Sequence, residues 1–340
     1  MVCYNFLMSK ATAPTELTDN DIDTVCEKSA AVITAYQQPQ GAYPASPNFI
    51  NYQYSWFRDG AFIADGMSRA GHIESAERFF TWCARIVNDR RDYILDGGTL
   101  DARYTYDGHE SSEAWETFQL DGYGTLLWAM KQHAIRHHRN IEQFQEAAGL
   151  IQHYLATHWQ EPCFDWWEER KGRHAASLAC IYAGLKAYEH PEAEAVRTAI
   201  NISQERTDAS LLICALFDAV DRETFAPLLT RIETELVSRD GGVYRYRDDT
   251  YYGGGEWPVL TAMLGWYYVR LGRLNDAEQK LSWIVAQMQD NGWIAEQSQT
   301  NLLHPEHYDP WVEKWGEPAN PLLWSQAMLL TLASELKRTL

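Results

Sequence analysis

The chain has 340 residues, 46% of them hydrophobic with 14 Trp and 19 Tyr, enough apolar material for one large core and too much for a disordered chain. Its formal net charge of −18 argues against nucleic acid or an anionic membrane as a partner and leaves small neutral molecules open. Six scattered cysteines with no paired short spacing form neither a zinc pattern nor a disulfide framework.

Helix-period patterning recurs along the whole length. It predicts helices over Asp19–Tyr36, Asp59–Arg69, Ile73–Asp89, Gln119–His137, Ile141–His158 and Arg173–Glu189. Further helices are expected over Glu192–Gln204, Asp208–Ala219, Arg222–Val237, Glu256–Leu271, Leu274–Met288 and Pro321–Lys337. Thr18 is a plausible N-cap for the first of them, with Asp19 and Asp21 in the opening turn where the helix dipole favours acids. Gly71 and Gly272 stand where a left-handed C-terminal cap is needed. Strand signals are few, the best being a short ribbon over Gly242–Tyr246 inside a loop. No composition break or fixed-period repeat divides the chain, so one domain over residues 1–340 is expected, with residues 1–17 a flexible N-terminal extension. The opening residues lack a basic run followed by a long apolar stretch, and no segment approaches the roughly 20 apolar residues of a membrane span. A cytoplasmic protein is the expectation.

The connections alternate in length. Ala70–His72, His138–Asn140, Glu189–Pro191 and Leu271–Arg273 are short, whereas Gln37–Phe57, Arg90–Phe118, Gln160–Arg173, Ser238–Gly255 and Asp290–Asn320 are long. If consecutive helices are antiparallel, the long links all return to one end. About twelve helices in this arrangement suggest an all-α fold, an (α/α)6 barrel of six antiparallel hairpins with its catalytic loops on one rim. The link at Arg206-Thr207 breaks the alternation by being short, which would leave the rim locally bare.

Most clusters of Trp with acids lie in the long links. Tyr52, Trp56, Arg58 and Asp59 fall within one nine-residue segment. Rings stack on the C–H faces of sugars while charged groups bind hydroxyls, although an aromatic staple with a helix-entry ion pair reads equally well. Trp115 ahead of Gln119 and Asp121 reads as a platform with two orienters, or more simply as a helix with a first-turn acid. Asp165-Trp166-Trp167-Glu168-Glu169 crowds three acids against two indoles, surroundings from which a general acid is built; the alternative is a solvated charge run paired with Arg170 and Lys171. The stretch from Tyr244 to Trp257 mixes Tyr, Arg and Gly but lacks the Lys-Ser/Thr of a phosphate loop, and a twisted surface hairpin fits it as well. Glu296 stands in an apolar frame with Trp293 and Ile294, by itself an ordinary surface acid. Paired carboxylates such as Glu168 and Glu296 are the equipment of glycoside hydrolysis. His133 and His137 lie one helical turn apart but without an accompanying Glu, and they read as a solvated helix end with no metal.

Taken in order, these segments resemble the glucoamylase family, glycoside hydrolase family 15. The matching elements are Gly41–Pro47, Tyr52–Asp59, Gln119-x-Asp121-Gly122, Trp167-Glu168-Glu169, Arg245-Tyr246-x-x-Asp249-x-Tyr251-Tyr252-Gly253-Gly254, Glu296-Gln297 and Pro321-Leu322-x-Trp324-Ser325. They run from about Gly41 to the final helix. The resemblance implies an inverting, exo-acting glucosidase that releases β-glucose from the non-reducing ends of short α-glucosides, without cofactor or metal. It implies Glu168 as general acid and Glu296 as general base, their carboxyls roughly 6.5–9.5 Å apart. Tyr52 would seat the attacking water, and Arg58 and Asp59 would grip the terminal glucose. Trp56 and Trp115 would form aromatic walls, Trp167 would bind substrate, and Glu169 and Arg245 would reach the sugars around the cleaved bond.

The chain departs from that pattern at Gly254-Gly255-Glu256-Trp257, where relatives often read Gly-Asn-Pro-Trp. It also lacks, across Trp115–Phe118, an Arg found in fungal relatives. Both departures are expected where the leaving sugar sits. They favour isomaltose-type α-1,6 substrates, with maltose-type α-1,4 glucosides and trehalose as alternatives. A sugar-binding or regulatory protein without turnover is a competing reading. An isoprenoid cyclase is another, although Asp248-Asp249 is a thin acid motif for one. The sequence sets no oligomeric state.

Overall fold

Two kinds of helix alternate along the chain. The computed structural model describes residues 17–203 and 205–339; the expected N-terminal extension up to residue 16, Cys3 and Gln204 lie outside them. In chain order the hairpins pair an outer helix with an inner one: α1 (Asp19–Tyr36) with α2 (Phe57–Arg69), and α3 (Ile73–Asn88) with α5 (Asp121–His137), the short α4 (Arg91–Leu95) lying between. Next come α6 (Gln145–His158) with α7 (Ala175–Ala187), α8 (Ala193–Thr198) with α9 (Leu212–Leu216) and α10 (Arg222–Arg231) with α11 (Pro258–Arg270). The last hairpin joins α12 (Leu274–Ala286) to α14 (Leu323–Lys337), with α13 (Tyr308–Trp315) in the link.

Inner helices such as α2 and α11 are buried on every side: α2 buries all of its residues but Arg69, and α11 all but Arg270. Outer helices carry one stripe, which in α1 is Ile22, Ser29, Ala30, Val32 and Ile33. The inner six close a ring, α2 on α5, then α7, α9, α11 and α14, which returns to α2. The expected (α/α)6 barrel is therefore formed. Its tightest seam lies between α5 and α7. A Cβ on Gly124 would stand 2.3 Å from the Cys180 carbonyl, and one on Gly184 would stand 2.5 Å from the carbonyl of Gly124.

Capping follows the local chemistry. Thr18 accepts from the Asp21 amide while Asp21 accepts from the Thr18 amide, a reciprocal capping box. Each inner-to-outer link turns through one left-handed residue: Gly71, His138, Glu189, Asp218 and Gly272. Such a residue ends a helix within one turn, so these links stay short. The outer-to-inner links are long, and all of them open at the N-terminal ends of inner helices.

Four expectations are corrected. The helix over Glu192–Gln204 stops at Thr198, because Asn201 accepts from the Ser203 amide and hydroxyl in a local turn that competes with the helix. The following link runs to Asp208, so the rim is not bare there and the alternation holds throughout. The ribbon over Gly242–Tyr246 forms only a single bridge, Val237 to Val243; the described ladders are β1 (Ser55–Trp56) with β2 (Arg103–Tyr104), and β3 (Cys163–Phe164) with β4 (Lys171–Gly172). His133 is buried, bonded to Ser68 and facing Glu77, rather than solvated. No described helix is long and apolar enough to cross a membrane, and the described residues hold no group of three metal-ligating side chains.

Gly124→Ala, which in an open helix would stabilise, is expected to destabilise this protein by about 1–3 kcal/mol through overpacking of the α5–α7 seam. Glu189→Gly should instead gain about 0.5–1 kcal/mol by relieving a left-handed non-glycine residue. Urea titrations of both variants check the opposite signs.

Candidate active site

The long links and the first turns of the inner helices enclose a cavity of about 720 Å³. Tyr52, Trp56, Arg58, Asp59, Trp115, Trp167, Glu168, Glu169, Arg245 and Glu296 all line it, so the structure brings together every candidate from the sequence. They come from separate elements: Tyr52 from a 3-10 turn, Trp56 from β1, Arg58 and Asp59 from the first turn of α2, and Glu168 from the turn between β3 and β4.

Arg58 sits at the centre of the floor. Its Nη1 donates to Gln119 Oε1 at 2.8 Å and Asp121 Oδ2 at 3.1 Å, and its Nη2 to Glu168 Oε1 at 3.3 Å. Asp59 lies 3.7 Å from the Arg58 Nε. Burial pushes the Asp59 carboxyl up to about 7 although Arg58 pulls it down, and burial likewise raises Asp121.

Glu168 is held in a left-handed backbone conformation, φ 61°, which turns its side chain out of the hairpin and among donors. Besides Arg58, Oε1 accepts from Trp56 Nε1 at 2.7 Å and Gln119 Nε2 at 2.8 Å, while Oε2 accepts from Trp115 Nε1 at 2.5 Å. The acids around it are not crowded together as the sequence suggested. Asp165 folds back onto the amides of Glu169 and Arg170, and Glu169 accepts from the Tyr246 hydroxyl and meets Arg245 at 3.2 Å. Arg245 is itself locked by Asp249, with its Nε 2.7 Å from Oδ2.

Glu296 has different surroundings. It is 2% exposed, and its Oε2 has no hydrogen-bond partner among the described groups. Burial raises its carboxyl to about 7, opposed by the hydroxyls of Tyr52 and Tyr251 and by the charge of Arg245. Two carboxyls in one cavity, one wrapped in N–H donors and the other buried beside tyrosine hydroxyls, have different surroundings for proton transfer.

Residues 22–188 match the sequence profile of glycosyl hydrolases family 15. The isomaltose glucohydrolase of Kribbella flavida is 36% identical over 351 residues, covering 91% of each chain. The chain belongs to glycosyl hydrolases family 15. A wild-type glycosidase structure superposes on this family 15 chain with a TM-score of 0.88 at 35% identity, covering 94% of this chain and 99% of that one. A glycosidase variant in complex with glucose matches equally well. The glucoamylase of Saccharomycopsis fibuligera, 14% identical with a TM-score of 0.75 over 97% of this chain and 98% of that one, shares the fold. This chain is a glycoside hydrolase.

Of the two departures from the family pattern, Glu116 lines the cavity, whereas Glu256 does not. Glu256 is buried against Ser238 and Asn301, away from the cavity wall, so it does not meet a leaving sugar as expected. Sequence reasoning assigned no site role to Tyr251, Trp257, Trp311 or Trp324, all of which line the cavity. Each is an aromatic residue in a long link or at the start of an inner helix, the same signal that marked Trp56 and Trp115. It also missed Asp208, whose carboxylate accepts from Trp167 Nε1 at 3.0 Å out of the link taken to be bare.

Between about 4.5, its unfolded value, and about 7, the folded protein keeps a proton on Glu296 that the unfolded chain releases. This group therefore lowers stability increasingly as pH rises through that window, and does so fully above it. Glu296→Gln is expected to stabilise the free protein by roughly 1–3 kcal/mol at pH 8, with the gain gone near pH 4. Denaturant titrations at the two pH values test this; an equal effect at both would refute it.

Proposed function

We propose that the chain is an inverting exo-glucosidase acting on short isomaltose-type α-glucosides, with Glu168 as general acid and Glu296 as general base. The observation that carries the reading is that Glu168 and Glu296, the two carboxyls of the family motifs, face one cavity together with Tyr52, Arg58 and Asp59. Glu168 passes its proton to the glycosidic oxygen and is left as a carboxylate among Trp56, Trp115, Gln119 and Arg58, whose N–H groups bind an anion better than a neutral acid. The bond electrons follow to the departing oxygen. Glu296 takes a proton from water at its unpartnered Oε2, with Tyr52 and Tyr251 placed to orient that water, and the new C–O bond forms on the other side of the sugar.

Arg58 and Asp59 then bind the hydroxyls of the terminal glucose, Trp56, Trp115 and Trp167 wall it, and Glu169 with Arg245 reaches the leaving sugar. The glycosidase variant in complex with glucose supports glucose as the unit bound, and the Kribbella flavida enzyme supports the isomaltose-type linkage. One closed ring of helices supports a single domain over the chain. The free thiols of Cys26, Cys83, Cys163, Cys180 and Cys214 fit a cytoplasmic protein.

Proton NMR at early times with isomaltose, maltose and trehalose in parallel tests the reading: β-glucose should appear first, and from isomaltose fastest. Initial α-glucose would overturn the acid/base assignment. Glu168→Gln should lose about 10²- to 10⁴-fold in kcat on isomaltose with binding largely kept. Because Glu296 must be ionised to act, kcat/KM should fall as pH drops below about 7.

A further inference from the structure

One fully buried cation stands behind the catalytic wall without touching the cavity. Arg103 in β2 is the ladder partner of Trp56 in β1. Its guanidinium lies 4.1 Å from the Trp115 ring centre, 4.2 Å from that of Tyr54 and 5.1 Å from that of Trp56. Nη1 donates to the Asn51 carbonyl at 3.2 Å, and Nη2 to the Ser111 hydroxyl at 3.2 Å, with the half-exposed Glu113 at 3.5 Å. Its Nε has no hydrogen-bond partner among the described residues. Such a charge is placed at the expense of its hydration, and no buried carboxylate faces it directly. What surrounds it instead is the pair of indoles whose N–H groups hold the two oxygens of Glu168.

A cation on the face of an indole fixes the ring plane and draws electron density toward itself, which sharpens the positive edge of that ring. The edge in question is the N–H aimed at Glu168. We propose that Arg103 is a positioning residue for proton donation: it locks Trp56 and Trp115 edge-on to Glu168 and, through them, favours the carboxylate left when the proton has moved to the glycosidic oxygen. The role rests on Glu168 being the general acid. Arg103 does not itself line the cavity, so whatever it does to substrate passes through Trp56 and Trp115.

A substrate whose leaving group needs no proton separates this role from a packing role. Fluoride departs as an anion, so hydrolysis of α-glucosyl fluoride draws little on the acid. Arg103→Met should lower kcat on isomaltose by roughly 10- to 100-fold, part of the about 10²–10⁴ that a positioned acid supplies, with kcat on α-glucosyl fluoride changed less than about threefold. Arg103→Lys, which keeps the charge but not the planar stack, should recover part of the loss. Equal losses on both substrates, or no loss on either, would overturn the role of Arg103. Glu168→Gln measured alongside guards the premise: it should spare the fluoride as well, and an equal loss on both substrates there would overturn the acid assignment and the Arg103 role with it.

Discussion

A single guanidinium is shared by three carboxyls, two of them buried and one half-buried, and the rest of the site is arranged around that shortage of positive charge. Arg58 leaves the first turn of α2, reaches the start of α5 through Gln119 and Asp121, and ends on Glu168 in the β3–β4 turn. Asp59 completes the set at 3.7 Å. Burial outweighs the pull of this one cation, so Asp59 and Asp121 are both displaced toward the protonated form. A cluster of this kind lowers stability relative to apolar packing, and it survives because helices buried on every side hold its members in place. Catalytic equipment of this sort is therefore tied to the ring: α2 and α5 must stay in register for Arg58 to reach its partners.

The topology supplies that rigidity and also the freedom the rim needs. Inner helices end at left-handed residues and short turns, so one end of the barrel is tightly closed. At the other end every inner helix begins after a long link, and backbone there adopts conformations a helix would forbid. Glu168 and Tyr252, with φ of 61° and 49°, are left-handed non-glycine residues in these links, beside or within the cavity wall. Local strain of about 1–3 kcal/mol is tolerable where the flanking helices over-determine the loop. Here that strain turns the Glu168 side chain toward four donors.

Tuning of the two principal carboxyls follows from how each link packs. Glu296 is buried beside the hydroxyls of Tyr52 and Tyr251, and burial raises its carboxyl toward neutrality against the pull of those hydroxyls and of Arg245. Glu168 is surrounded by indole, amide and guanidinium N–H groups. Trp167 has its own support in Asp208, from a link that belongs to a different hairpin. The wall of the cavity is thus assembled from all around the rim.

Much of this was legible along the chain because the causes are local. Helical periodicity, the Thr18 capping box and the glycines after α2 and α11 depend on residues within a turn or two of one another, and the alternation of link lengths then leads to a barrel. The ordered motifs placed Tyr52, Arg58, Glu168 and Glu296 in one family. The break after Thr198 escaped because an Asn201 side-chain turn outcompetes helix propensity, and periodicity does not register that competition. Arg103, Asp208 and Tyr251 escaped for a different reason: each matters through a neighbour dozens of residues away or more. Likewise, the splaying of Asp165, Glu168 and Glu169 onto separate partners depends on which links meet across the rim. By itself the sequence determined the helices, the ring and the residue types available for chemistry, since these follow from short-range pattern. Only the tertiary structure decided which carboxyl is dried, which is wrapped in donors and which cation stands behind the wall, because desolvation and charge are set by everything within a few ångströms, regardless of distance along the chain.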